Sequence, residues 1–277
     1  MAVSYASTLR GVSKESLVAA EEVLDSALSA STAQGVGEEL FAVTDVLADN
    51  AGLRRALTDT SRQPQARAEL VQRLFGGQVG GVTLDLLSGL VRARWSEPGD
   101  LTVGVEHLAV TAVLFSAEAA GSLDEVEDEL FRLSRTVGSD PGLRDALSPR
   151  TVGQARKVDL LATLVAGKVK PQTQVLATRA VAAARGRRLE RVLDGFLAVA
   201  AARRSRHVAD ITTAVPLTQA QRQRLAAALE RVYGQSVRLN VQLDPEVVGG
   251  LRVQLAGEVL DGTLLTRLAA ARRRLAG

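Results

Sequence analysis

The stretch RLNVQLDPEVVGGLRVQLAGEVLDGT, residues 238–263, decides the fold of the last quarter of the chain. Apolar and polar side chains alternate over residues 237–243, which is typical of a half-buried strand. Asp244-Pro245 can open a single helical turn, with Asp as the N-cap and Pro at the first helical position. The stretch therefore predicts a strand that passes directly into a tight turn.

The second half of this stretch predicts a hairpin and a helix. Gly249-Gly250 can end the turn, because glycine accepts the left-handed backbone needed there. Residues 251–255 and 258–260 then read as two strands joined by a tight connection. Asp261-Gly262-Thr263 leads into a basic amphipathic helix that runs to the end of the chain.

In this order, D-P-x-V-x-G-G followed by V-L-D-G-T-x-x-x-R-L resembles the C-terminal signature of the delta subunit family of F-type ATP synthases. Mitochondrial members of that family are the oligomycin-sensitivity-conferring proteins. The positions that carry the resemblance are Asp244, Gly249, Gly250, Val259, Asp261, Gly262, Arg267 and Leu268. The alternative is an ordinary strand, hairpin and helix with turn glycines.

Composition narrows the possible chemistry. At 277 residues, the chain is long enough for about two domains. It contains no cysteine, and its only histidines, His107 and His207, each lack a local ligand partner, so satisfied or exposed histidines are expected. The first residues resemble no signal peptide, and no uncharged run approaches the ~20 residues that span a bilayer. These features predict a soluble, intracellular protein that reaches a membrane only through a partner.

Charge is distributed unevenly along the chain. Residues 1–150 hold 13 basic and 22 acidic side chains, whereas residues 151–277 hold 21 basic and 9 acidic ones. A basic second half is compatible with nucleic-acid binding. Aromatic residues make up only 3% of the chain, however, so stacking platforms for single strands are scarce.

An internal duplication recurs at an offset of 90 residues. Residues 39–41 recur as 129–131, and residues 52–57 recur as 142–147. The segment 65–67 maps onto 154–156 if a one-residue gap is allowed. A period of this length is too long for a helical-hairpin solenoid and indicates two copies of a bundle domain.

Each copy predicts the same run of helices. In the first copy, we expect helices at 17–28, 38–47, 64–75 and 82–95, and a short helix that ends near residue 57. A break at Gly35-Val36-Gly37 is expected before the helix at 38–47. In the second, we expect helices at 105–117, 123–137, 143–147, 152–165 and 173–184, then a last one at 190–203. Gly76-Gly77 and Gly167 are expected to end helices at equivalent places. Residues 96–100 are predicted to link the copies.

The resemblance also covers the helical part. In the delta family, a six-helix N-terminal domain precedes a smaller C-terminal one. Tyr5 and Leu9 resemble the opening helix of that domain, which is a candidate docking helix, and residues 179–196 resemble its last two helices. The second copy departs from the usual single bundle and resembles actinobacterial forms. It leaves open which copy performs the docking.

The C-terminal domain is predicted to open at about residue 207. Residues 208–215 alternate as a strand, and Thr218-x-x-Gln221 is a capping box for a helix that Gly234 ends. A mixed sheet of three or four strands with two longer helices is the expected architecture.

No catalytic constellation stands out in the sequence. The glycine-rich segment 76–81 lacks the Lys-Ser/Thr of a phosphate loop and reads as a helix break. The acidic run 124–129 lacks the spacing of an EF-hand and reads as a helix start, where acidic side chains suit the helix dipole. We therefore predict no enzyme activity, no cofactor and no metal.

The sequence predicts a mostly α protein: two tandem helical-bundle copies at 1–95 and 96–206, then a small α+β domain at 207–277. The resemblance implies a non-catalytic stator subunit, peripheral on the cytoplasmic face of the membrane, in a hetero-oligomer. Its partners would be the N-terminal segments of the alpha subunits and the b-type stalk, with no nucleic acid and no membrane insertion. The alternative is a helical adaptor or nucleic-acid-binding protein that uses the Arg-rich second half.

Overall fold

The computed structural model describes residues 8–147, 153–205, 208–233, 237–245, 247, 250–255 and 258–261. The chain divides into two compact units, residues 1–201 and 202–277. The described part is mostly helical, as predicted. The helices up to the end of the first unit are α1 (Gly11–Ala27), α2 (Ala33–Asp49), α3 (Ala51–Thr58), α4 (Pro64–Phe75), α5 (Gly81–Arg92), α6 (Pro98–Ala119), α7 (Leu123–Ser139), α8 (Pro141–Leu147), α9 (Gln154–Val165), α10 (Pro171–Ala182) and α11 (Leu189–Ser205).

The helix boundaries repeat at the same offset of 90 residues. The bounds of α2, α4 and α5, each shifted by 90, coincide with those of α7, α9 and α10. The one-residue gap expected near residue 65 is therefore wrong. Without that gap, Arg67 corresponds to Lys157, and both basic side chains are buried.

Helix α6 belongs to both copies. Shifting α1 by 90 places it at 101–117, inside α6, and shifting α6 by 90 covers α11. Thus α6 is the sixth helix of the first copy and the first helix of the second. One continuous hydrophobic core runs from Leu9 to Ala200 through both copies. The predicted boundary between residues 95 and 96 lies inside this single unit.

The burial of α6 follows from this double role. Fifteen of its 22 residues are buried, including Glu106 and His107. Within the described residues, α6 is the one helix long and apolar enough to cross a membrane, yet 83% of that stretch is buried inside the protein. Its apolar composition is accounted for by packing partners on all sides.

The expected break at Gly35-Val36-Gly37 is wrong, because α2 runs through it without interruption. Gly37 lies against α6. A β-carbon placed there would come within 2.6 Å of Val113 Cγ2 and 3.1 Å of the Ala109 carbonyl oxygen. Here glycine permits close helix packing and does not end a helix.

The two copies also share a device that starts a helix. Glu39 Oε1 accepts a hydrogen bond from the Gly80 backbone N–H (3.0 Å) at the start of α5, and Glu39 also binds the Thr83 hydroxyl. Ninety residues later, Glu129 Oε2 accepts from the Lys170 N–H at 2.9 Å, and from a threonine hydroxyl that corresponds to Thr83. Each carboxylate pairs with unsatisfied N–H groups at the positive end of a helix.

Glycines end α4 and α9 as predicted. Gly77 has φ +82° and Gly167 has φ +69°, the left-handed conformation typical of a residue just past a helix end. The predicted linker at 96–100 is the N-terminus of α6, where Glu97 and Asp100 form a capping box. The segment predicted as a linker is therefore the start of a helix that both copies share.

The second unit contains a mixed four-stranded sheet. The elements are β1 (Val208–Thr213), α12 (Gln219–Tyr233), β2 (Arg238–Leu243), β3 (Leu251–Leu255) and β4 (Glu258–Asp261). The strand order is β2-β1-β3-β4, with β1 parallel to β2 and antiparallel to β3. A small core that includes Ile211, Leu229 and Val253 lies between the sheet and α12.

The local predictions for this unit agree with the structure. Thr218 and Gln221 form the expected capping box, since the Gln221 N–H donates to Thr218 Oγ1 and the Thr218 N–H donates to Gln221 Oε1. The predicted hairpin is the antiparallel pair of β3 and β4. Four strands form the sheet, the larger of the two expected numbers.

Candidate helix-docking site

Helix α1 carries a second apolar stripe in addition to the one that enters the core. Ser13, Leu17 and Leu24 are buried against the bundle. Val12 and Val23 lie on another face, 44% and 53% exposed. The described residues therefore leave the second apolar face of α1 uncovered.

This second face of α1 forms an apolar groove with α5. The groove has a volume of about 340 Å³ and is lined by Glu15, Ser16, Ala19, Ala20, Val23, Leu86, Gly89, Leu90 and Ala93. The Ser16 hydroxyl donates to the Arg94 carbonyl oxygen at 2.7 Å and ties α1 to the residues that follow α5. The lining is small and apolar, which suits a helix packed lengthwise rather than a polar small molecule.

Gly89 leaves an empty space in the wall of the groove. Among the described residues, no heavy atom lies within 4 Å of the position that a β-carbon would occupy there. A bulky side chain of a docked helix therefore has room above Gly89. Lys14, Glu15 and Glu22 surround the adjoining surface of α1 and supply charge at the rim.

A cluster of charges that extends from the buried Arg179 and Glu106 to the exposed Asp45 lies elsewhere in the same unit. Arg179 on α10 contacts Asp45 Oδ2 at 2.6 Å, and Arg185 contacts Asp45 Oδ1 at 3.1 Å. The side chain of Glu106, 3% exposed, lies 3.2 Å from Arg187 Nη2 and 3.5 Å from Arg185 Nη1. Arg185, which makes two of these ion pairs, has φ +48°, a left-handed conformation that is uncommon for residues other than glycine.

The electrostatics at Asp45 follow from this cluster. Burial acts to raise the pKa of the Asp45 carboxyl, but the hydrogen bonds and charges of Arg179 and Arg185 outweigh it and lower the pKa below its ordinary value. The Arg179 guanidinium also stacks over the Phe41 ring at 4.8 Å. Asp45 and Phe41 are both on α2, so these contacts join α2 to α10.

Of Tyr5 and Leu9, the residues of the candidate docking helix, Leu9 is not part of the groove. Leu9 precedes α1 and is buried in the core, with 3% of its surface exposed. Tyr5 lies outside the described residues. The α1/α5 groove was not predicted from the sequence, although Ala19 and Val23 recur at helical spacing on α1.

The described positions of the C-terminal signature lie in or beside the sheet. The Asp244 N–H donates to the Thr213 carbonyl oxygen (3.0 Å), and the Asp244 carbonyl accepts from the Val247 N–H (3.2 Å), which closes a single turn. Gly250 has φ +86° just before β3, as its predicted role requires. Val259 and Asp261 are in β4, and the backbone of Asp261 lies opposite that of Arg252 in the register of β3 and β4. Gly249, Gly262, Arg267 and Leu268 lie outside the described residues.

His107 has a structural partner. It is 7% exposed, and its Nε2 is in hydrogen-bond contact with Glu21 Oε1, so α1 and α6 are joined inside the bundle. His207 lies outside the described residues. Among the described side chains, no group of three or more His, Cys, Asp or Glu could hold a metal ion.

The described residues thus form a helical unit that carries an open apolar groove, followed in the chain by a small α+β unit. The family model described as ATP synthase delta (OSCP) subunit matches residues 110–275. The chain belongs to this family.

Curated relatives match almost the whole chain, as two of them show. ATP synthase subunit delta of Kineococcus radiotolerans is 50% identical over 269 residues, covering 96% of this chain and 98% of that protein. ATP synthase subunit delta of Streptomyces griseus is 49% identical over 272 residues, covering 97% of this chain and all of that protein. Both proteins are therefore similar in length as well as in sequence.

Among solved structures, the mitochondrial ATP synthase hexamer of Toxoplasma gondii contains a similar chain. A chain of that assembly is 23% identical with a TM-score of 0.29, covering 61% of this chain and 95% of that one.

Proposed function

We propose that the chain is a non-catalytic peripheral-stalk subunit of an F-type ATP synthase. It would link the alpha/beta catalytic head to the b-type stalk and keep the head from turning with the rotor during proton-driven ATP synthesis. The observation that carries this proposal is the likeness to ATP synthase delta subunits over 96% and 97% of the chain. The subunit would lie peripherally on the cytoplasmic face of the membrane, held there by its partners.

The groove supports the docking half of this role. An amphipathic helix can bury its apolar face against α1 and α5, and this mode of binding needs no catalytic side chain. We propose that an alpha-subunit N-terminal segment docks there and that residues 207–277 hold the b-type stalk. We propose residue 206/207 as the boundary between these two functional parts.

The proposal is tested in membrane vesicles of the source organism with and without the gene for this chain. Loss of the subunit should abolish proton-driven ATP synthesis, whereas the detached catalytic heads should still hydrolyse ATP. Restoring the full-length chain should restore synthesis. Vesicles that lack the chain and still synthesise ATP at the normal rate would overturn the proposal.

A further inference from the structure

The 90-residue repeat assigns a counterpart in the second copy to each groove residue. Ser16, Ala19 and Val23 on α1 correspond to Glu106, Ala109 and Val113 on α6. Gly89 on α5 corresponds to Arg179 on α10. All four counterparts are buried, although Ala19, Val23 and Gly89 are exposed.

Helix α2 covers the counterpart surface. Gly37 faces Ala109 and Val113 at a distance that leaves no room for a β-carbon. One turn further along α2, Phe41 lies beneath the Arg179 guanidinium. Asp45, another turn on, forms the ion pairs with Arg179 and Arg185. Three successive turns of α2 thus lie across α6 and α10, as a ligand helix would.

From these contacts we infer that the second copy offers no docking groove of its own, because α2 fills the space between α6 and α10, so that each chain docks a single partner helix, in the α1/α5 groove. This inference rests on the proposed docking function. Helix α2 is also a template for the partner. It indicates an amphipathic helix with a small residue against Ala19 and Val23, followed one turn later by a large apolar side chain.

The open groove differs from the filled one in charge. Glu106 is replaced by Ser16, Arg179 by Gly89 and Arg185 by Trp95. The charges that hold Asp45 have no counterparts there, so a partner helix needs no acidic residue at the position of Asp45. The space above Gly89, which Arg179 fills in the second copy, is left for the large apolar side chain of the partner.

The number of sites distinguishes this inference from the proposed function. The full-length chain is titrated by calorimetry with a synthetic peptide of the N-terminal segment of the alpha subunit from the same organism. We expect one peptide per chain. Two equivalent peptides per chain would overturn the single-site inference but leave the docking function intact. No binding would overturn the docking function, and the inference would fail with it.

Two substitutions test whether the site is the α1/α5 groove. Gly89→Arg introduces the side chain of the filled copy, and Ala19→Arg places the same charge on the opposite wall. Each should lower peptide affinity about tenfold or more. Gly52→Arg, at an exposed helical glycine with open space around it, is the matched control and should bind like wild type.

Fluorescence of Trp95, the only tryptophan, checks that each variant is folded. Normal peptide affinity in both groove variants would overturn the assignment of the groove. An equal loss of affinity in Gly52→Arg would also overturn it, because that change lies outside the groove.

Discussion

Gly37→Ala tests the close packing of α2 on α6. In a helix interior, replacing glycine by alanine stabilises by up to about 1 kcal/mol. At Gly37 the new methyl group would lie 2.6 Å from Val113 Cγ2 and 3.1 Å from the Ala109 carbonyl oxygen. Val113 is fully buried and Ala109 contributes a backbone atom, so neither can retreat freely. Overpacking of this kind costs about 1–3 kcal/mol, so the net effect should be a destabilisation of about 0–2 kcal/mol.

Gly35→Ala is the matched control on the same helix. No atom lies within 4 Å of its β-carbon position, so only the favourable backbone effect remains. Near the helix start, this effect should stabilise by about 0.5 kcal/mol. The two variants should therefore differ by about 0.5–2.5 kcal/mol, and the steric cost at Gly37 is the reason for the difference.

The assay is urea unfolding followed by tryptophan fluorescence. Trp95 is the only tryptophan, is 6% exposed and lies in the same core as α2, so its signal reports on the first unit alone. The midpoint should fall for Gly37→Ala and rise for Gly35→Ala, with the slope unchanged. Equal midpoint shifts in the same direction would refute the claim that α2 and α6 are in close contact at Gly37.

Three further changes probe the charged cluster and the sheet. Glu106→Ala should destabilise the first unit by about 1–3 kcal/mol by Trp95 fluorescence, because Arg185 and Arg187 lose a buried carboxylate partner, whereas an unchanged stability would contradict that role. Asp45→Asn should reduce stability by a constant amount at pH values well above 3.8, the ordinary pKa of Asp. That difference should shrink as pH falls through the lowered pKa of the folded protein, and a difference independent of pH would contradict the pairing. Gly250→Val should destabilise the sheet by about 1–3 kcal/mol, since valine opposes the positive φ, and hydrogen exchange of the β1 amides should accelerate while that of α6 does not.

The sequence predicted the elements that depend on local chemistry. The capping box at Thr218 and Gln221 and the positive φ at Gly77, Gly167 and Gly250 follow from one or a few neighbouring residues. Periodicity likewise predicted the helices and the hairpin. These features were accessible because their causes lie close together along the chain.

The features that sequence reasoning missed depend on distant residues. Gly37 looked like a helix break, and only the position of Val113 shows why a glycine is needed within a helix. The groove could not be predicted from the sequence either, because an apolar stripe on α1 is exposed only if no other helix packs on it, and the sequence does not show which helices pack together. The duplication was detected, but the sharing of α6 became visible only from the helix boundaries.

The shared helix has a mechanical consequence. Two domains in tandem are usually joined by a linker, and a linker bends under load. Here the second copy starts within the 22-residue helix that completes the first, so extending the protein introduces no joint between the copies. Force applied to one copy passes to the other through the hydrogen-bonded backbone of α6 and the side chains packed around it. The second copy is therefore added to the first as part of one continuously packed structure.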